Sequence, residues 1–233
     1  MKDSISPLDG RYSSETEELL PYFSERALIR YRIKVEIEYL IALSKEKTLV
    51  GLPAFTKKQE ATYRKIYSNF NASTAKEVKK VEQRTNHDVK AVEYYIRSKI
   101  NKSIHPWVHF ALTSEDVNNL SYTLMWRDAL KKVYIPQLTQ VLKDLKTLSN
   151  KYANTAMLSM THGQPATPTT FGKEIRVFVN RIERQINGID KQKFLGKFGG
   201  ATGTWSAHMV AYPKMNWLRF AKKYIKSLEL EPN

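Results

Sequence analysis

The stretch SERALIRYRIKVEIEYLIALSKEK, residues 24–47, governs how the rest of the chain is read. Ile29, Ile33, Ile37 and Ile41 recur every four residues with Leu40 alongside, which places an apolar stripe along one helix. Ser24 stands where an N-cap hydroxyl is needed, and Gly51 and Pro53 punctuate the end. The same pattern repeats outward from this segment. Thr56 is placed to cap a second helix running to about Phe70, and residues 71–74 read as the turn after it. A third helical pattern spans about Lys76 to Lys99, with Val89, Val92 and Ile96 on one face.

The polar, proline-ended segment Asn101–Pro106 marks an expected domain boundary, with an N-terminal helical domain at 1–106 and the start of a helical bundle at 107–233. A long helical pattern then runs from Ser114 to Tyr152, and Pro136 inside it predicts a kink or interruption. Ser159–Thr170, rich in Thr and Pro, reads as an ordered loop. Thr170–Lys191 is again helical, with Ile175, Phe178, Ile182, Ile186 and Ile189 at three-to-four spacing. A glycine-rich loop at 196–203 and a last helix at about Lys214–Ser227 complete the reading. With no alternating strand of useful length, the expected class is all-α.

Composition narrows the function classes. The 233 residues are 42% hydrophobic, enough for a sizeable core, and contain no cysteine, so disulfides and thiolate metal sites are excluded. No apolar run reaches the roughly 18 residues of a membrane span, and MKDSISPLDGRY lacks the apolar centre of a secretion signal. A soluble, cytoplasmic protein is the expectation. The net charge of +15 is spread over solvated helix faces rather than gathered in one patch, which argues against nucleic acid as the partner. A basic surface still suits an anionic small molecule.

Three of the five histidines sit in polar, loop-like contexts: His87 in RTNHD, His109 in WVHF and His162 in THGQP. Histidine is the side chain that moves protons near neutrality without help, so the trio points to acid–base chemistry. His105 and His109 are four apart, but Pro106 breaks the helix a metal pair would need, and no metal site is expected. Thr113 and Ser114 precede a long helix, where hydroxyls and free N–H groups favour an anion. Glu115 and Asp116 must then face away or meet cations. The GGATG stretch at 199–203 lacks a phosphate-loop ending and reads as a tight turn.

Taken in order, SPLDGRY (6–12), RTNHDVKAVEY (84–94), HFALTSEDVNN (109–119), THGQPATP (161–168) and GGATG (199–203) resemble the adenylosuccinate lyase family, bacterial-type subgroup, within the fumarase and aspartase superfamily. The resemblance implies β-elimination of fumarate from adenylosuccinate, and from the succinylated aminoimidazole carboxamide ribotide, without metal or organic cofactor. It implies His162 as the acid that protonates the departing nitrogen and His87 as its orienting partner. Arg11, Tyr12 and His109 would lie at the nucleotide phosphate, and Asn86 and Asp88 would hold the nucleotide. Thr113, Ser114, Thr161 and Gln164 would hold the succinyl carboxylates.

One departure is large. The family's base is a serine on a loop of the form Ser-Ser-x-Met-Pro-x-Lys-x-Asn, and no Met-Pro pair occurs in these residues. The expectation is therefore the N-terminal portion of a lyase, inactive alone, whose relatives form homotetramers with shared active sites. Another superfamily lyase, such as an argininosuccinate lyase, is the nearest alternative, and SPLDGRY with NHD weighs against it. An inactive, truncated helical protein binding nucleotide through its charge is the alternative from a different class.

Overall fold

The computed structural model describes residues 5–233. The chain divides into two compact units, residues 1–128 with 194–233, and residues 129–193. This partition is distinct from the boundary expected at residue 106. The class is all-α, as predicted, with one hairpin and one short strand pair added.

The first unit begins with turns, a short helix α1 (Leu20–Phe23) and then α2 (Glu25–Ser44). Ser24 caps α2 by accepting the Ala27 N–H at 3.1 Å. The isoleucine stripe is buried, but so are Tyr31, Val35 and Tyr39 on other faces, so α2 is a central helix covered nearly all round. α3 (Lys57–Ser68) opens with a reciprocal cap, Gln59 N–H to Thr56 Oγ1 at 3.2 Å and Thr56 N–H to Gln59 Oε1 at 2.9 Å. Asn71 does not close a turn but caps α4 (Ala72–Thr85), accepting from Ser73 and Thr74 N–H.

The single helix expected over 76–99 is two helices, α4 and α5 (Asp88–Lys99). Asn86 takes a left-handed conformation (φ 49°), which ends α4, and His87 then caps α5. Residues 102–107 form a 3₁₀ helix, and α6 (Ser114–Ala129) follows.

In the second unit, Leu130–Tyr134 is a π-helical turn leading into α7 (Ile135–Lys151). The interruption predicted from Pro136 falls just ahead of it. Proline offers no N–H and its ring crowds the carbonyl four residues back, so the ladder widens there and Ile135 N–H bonds Leu130 O.

The segment expected to be a loop is an antiparallel hairpin, β1 (Ala156–Thr161) and β2 (Gln164–Thr170). Thr161 pairs with Gln164, leaving His162 (φ 51°) and Gly163 (φ 74°) as a two-residue, doubly left-handed turn that matches strand twist. Pro165 and Pro168 are tolerated because each strand of a two-stranded ribbon has an open edge. α8 (Phe171–Asp190) packs on α7 around Leu142, Val179 and Ile186. At their junction Gly172 lies so close to the α7 end that a Cβ would sit 2.3 Å from Ser149 O.

Returning to the first unit, β3 (Leu195–Gly196) pairs with β4 (Glu231–Pro232), and α9 (Ser206–Ala211) and α10 (Trp217–Ser227) lie between them. The last helix therefore starts three residues later than Lys214, and α9 was not anticipated. Tyr39, Phe198, Phe220 and Tyr224 interlock with ring centroids 5.5–6.2 Å apart. Tyr224 OH donates to Val35 O at 2.8 Å, and buried Arg127 donates to Leu228 O at 2.7 Å. Among the described residues, no helix is long and apolar enough to cross a membrane.

Candidate active site

The predicted residues fall in both units, and α2 holds two of those in the first, Asp88 and His109. Three buried polar residues on that helix, Arg32, Glu36 and Tyr39, were not singled out from the sequence. Between them they hold two of the motifs, residues 84–94 and 109–119. Arg32 Nη2 pairs with Asp88 Oδ2 at 2.8 Å while its Nε donates to Asn118 Oδ1 at 2.9 Å, tying the start of α5 to α6. Glu36 grips His109, and Tyr39 OH donates to Phe110 O at 2.9 Å. Their spacing of four and three residues was the available signal, since it places ionisable groups on a helix whose neighbours are core.

At the α4–α5 junction, His87 Nδ1 accepts the Lys90 amide N–H at 3.2 Å, which leaves the neutral ring's proton on Nε2. Its side chain is half exposed. Burial disfavours the Asp88 charge, but the Val89 N–H and Arg32 outweigh it and hold the carboxyl below its usual range. Asn86 is the left-handed residue between the two helices.

His109 (φ 59°) and Ala111 (φ 56°) are both left-handed, a costly conformation for residues with a Cβ. Glu36 offsets part of that cost, with Oε2 accepting the His109 backbone N–H at 3.2 Å and Oε1 meeting ring Nδ1 at 2.5 Å. Glu93 Oε1 stands 3.8 Å from the other ring nitrogen. Burial opposes a charge on His109, yet the two carboxylates prevail and raise its pKa.

Thr113 and Ser114 are half-buried at the start of α6. Glu115 is exposed, whereas Asp116 is fully buried and turned toward donors, in line with the expectation that these acids face away or meet cations. It accepts N–H groups from Thr113 (3.0 Å), Gly199 (3.0 Å) and Gly200 (3.0 Å), and pairs with Lys197 Nζ at 3.3 Å. The 199–203 stretch is thus clasped onto the first turn of α6. Gly199 and Gly200 have φ of 156° and 80°, and a Cβ on Gly199 would sit 3.0 Å from the Trp205 ring.

Arg11 and Tyr12 share an exposed turn, the guanidinium 5.5 Å from the ring centroid, with Tyr12 N–H bonded to Pro7 O at 2.9 Å. Thr161, His162 and Gln164 occupy the exposed tip of the hairpin in the second unit. His208, also unanticipated, is fully buried on α9. Its Nε2 lies 3.1 Å from Tyr39 OH and its ring 4.6 Å from Trp217. Burial pushes its pKa down to about 4, with Asp116 pulling weakly the other way.

The sequence profile of the lyase family matches residues 10–229. The chain is 45% identical to the adenylosuccinate lyase of Dictyostelium discoideum, covering 97% of this chain and 50% of that protein. Against the adenylosuccinate lyase of Escherichia coli K12 it is 38% identical, covering 99% and 52%. It thus spans about half the length of the curated relatives it matches. In fold it is similar to a fumarate lyase from Mesorhizobium sp. BNC1, with a TM-score of 0.74, 18% identity, and 93% and 48% of the two chains covered.

Proposed function

From the premise that this chain belongs to the lyase family, we propose that it carries the acid and much of the nucleotide site of an enzyme releasing fumarate from adenylosuccinate. The succinylated aminoimidazole carboxamide ribotide is the second substrate of the same chemistry. The observation that carries this reading is the convergence on α2 of two separate motifs, residues 84–94 through Arg32–Asp88 and residues 109–119 through Arg32–Asn118, Glu36–His109 and Tyr39–Phe110. A β-elimination needs a base at the succinyl Cβ, donors for the carbanion's carboxylate, and an acid for the leaving nitrogen.

His162 is the acid in this scheme, and His87, with its proton on Nε2, orients the substrate. Arg11, Tyr12 and His109 take the phosphate, and Asn86 and Asp88 hold the nucleoside. Thr113, Ser114, Thr161 and Gln164 take the carboxylates. The reaction needs no cofactor. The base belongs to sequence beyond these residues, so the 233-residue chain alone should not turn over substrate.

The enzyme is proposed to be cytoplasmic and homotetrameric with shared sites, and residue 106 to be the domain boundary of the full-length protein. Val141, Leu148 and Phe178, exposed on α7 and α8, support the assembly because a helix face of that kind is covered in a stable oligomer. The test is fumarate release from adenylosuccinate by the full-length protein, with His162→Ala expected to lower kcat by roughly 10²–10⁴-fold. Full activity in that variant would remove His162 from its role, and no turnover by the unaltered enzyme would sink the reading.

A further inference from the structure

We propose that Glu36 is a positioning residue for His109, taking the backbone N–H and ring Nδ1–H so that Nε2–H is offered to an anionic group such as phosphate. The inference rests on the proposed nucleotide site and specifies how one of its cations is made.

Three observations carry it. Glu36 is 2% exposed, on a central helix, and nothing requires a carboxylate there except what it touches. Both of its oxygens go to one residue, Oε2 to the His109 N–H at 3.2 Å and Oε1 to Nδ1 at 2.5 Å. That two-point grip fixes the ring as well as the backbone, and it does so at a left-handed φ of 59° that the residue would not choose unaided. Plain packing would be met by a leucine. A carboxylate is needed only if the ring must carry a proton on Nδ1.

The second carboxylate completes the arrangement without closing it. Glu93 Oε1 is 3.8 Å from Nε2, too far for a hydrogen bond, and its Oε2 is held by Lys90 Nζ at 2.8 Å and Arg97 Nη2 at 3.7 Å. The groups facing the ring are therefore Glu36 from α2 and Glu93 from α5, with Lys90 and Arg97 balancing Glu93. The ring is buried apart from 14% of its side-chain surface, so an anion meets a charge little screened by water. The raised pKa of His109 agrees with this geometry.

The test does not depend on turnover. In the 233-residue chain, His109 ring ¹⁵N signals are followed against pH, with and without inorganic phosphate, in the natural protein and in Glu36→Gln. Glutamine fills the same space and keeps the backbone bond but carries no charge. The expected result is a lowered titration point for His109 in Glu36→Gln and roughly tenfold weaker phosphate binding read at Nε2, the scale of one lost charge-assisted interaction. Glu93→Gln should lower the titration point less, because its carboxylate stands farther off; if Glu36→Gln does not fold, the ¹⁵N shifts of the natural protein decide, since a neutral His109 ring with Nδ1 unprotonated overturns the proposal. An unmoved titration in Glu36→Gln, or a larger effect from Glu93→Gln, overturns the proposal. So does a lowered titration point with unchanged phosphate binding. Failure of the lyase reading would be seen separately, as absent fumarate release by the full-length enzyme.

Discussion

The two units solve the same problem to different degrees. The first buries a continuous core in which Ile33, Ile37, Tyr39 and Tyr224 are almost wholly covered. The second buries only Leu142, Val179 and Ile186 as a cluster, and leaves Val141, Leu148 and Phe178 between 41% and 57% exposed. α8 explains the contrast. Its apolar arc from Ile175 to Ile186 is wider than one neighbour, α7, can cover, so Ile182 packs inward while Phe178 does not. An apolar pattern therefore specifies a helix reliably, but it does not say whether the covering surface is in the same chain.

The contrast can be broken at several points. Ile37→Ala should cost the first unit about 4 kcal/mol, because a fully enclosed site cannot collapse around the lost atoms. A urea midpoint little changed by this substitution would mean that the core is not the continuous one described. Gly172→Ala should cost the second unit about 3 kcal/mol, since the new methyl meets backbone rather than a movable side chain. Loss of hydrogen-exchange protection confined to α7 and α8 is the expected signature.

Acid should also weaken the first unit. His208 is held neutral by burial with a pKa near 4, so its contribution is complete above its unfolded value and is lost as pH falls from about 6.5 toward 4, by at most roughly 3 kcal/mol. His109 has the opposite sign, because its raised pKa gives stability that is present in acid and lost as pH rises through its folded value. Replacing His208 by Phe should therefore flatten only the acid side of a stability–pH curve. An unchanged acid slope would show that His208 is not its source.

Smaller effects are expected on the second unit's surface. Gly163→Ala puts a Cβ on a left-handed turn residue with open space around it, so the cost is conformational alone, about 1 kcal/mol. Phe178→Ala should change the stability of the isolated chain by less than about 0.5 kcal/mol. Its effect belongs in the assembly of the full-length protein, measured by sedimentation. A core-sized loss in the isolated chain would contradict the exposure of this face.

Much of this was legible in the sequence, for identifiable reasons. The stripe from Ile29 to Ile41 and the caps at Ser24 and Thr56 are local, and local signals survive folding. The division at Asn86 was not legible, because one left-handed residue reverses the chain while the apolar spacing continues past it. The hairpin was hidden because β1 and β2 are largely exposed and contain two prolines, so no alternation was imposed. Its trace was the His162–Gly163 pair, two residues that tolerate a left-handed turn. The site motifs were visible as peptides, while Arg32, Glu36 and Tyr39 were marked only by their spacing of four and three residues. Only the fold reveals that these three are buried against them.

The first unit is also discontinuous, and that sets a clock for the newborn chain. Tyr224 reaches back 189 positions to the carbonyl of Val35, and Arg127 reaches forward 101 to that of Leu228. At typical synthesis rates, roughly 10–40 s pass between the emergence of α2 and of the helix that covers its aromatic side. During that interval Tyr39 and its neighbours have no permanent cover, and the nascent protein is a client for whatever shields unfinished chains on the ribosome.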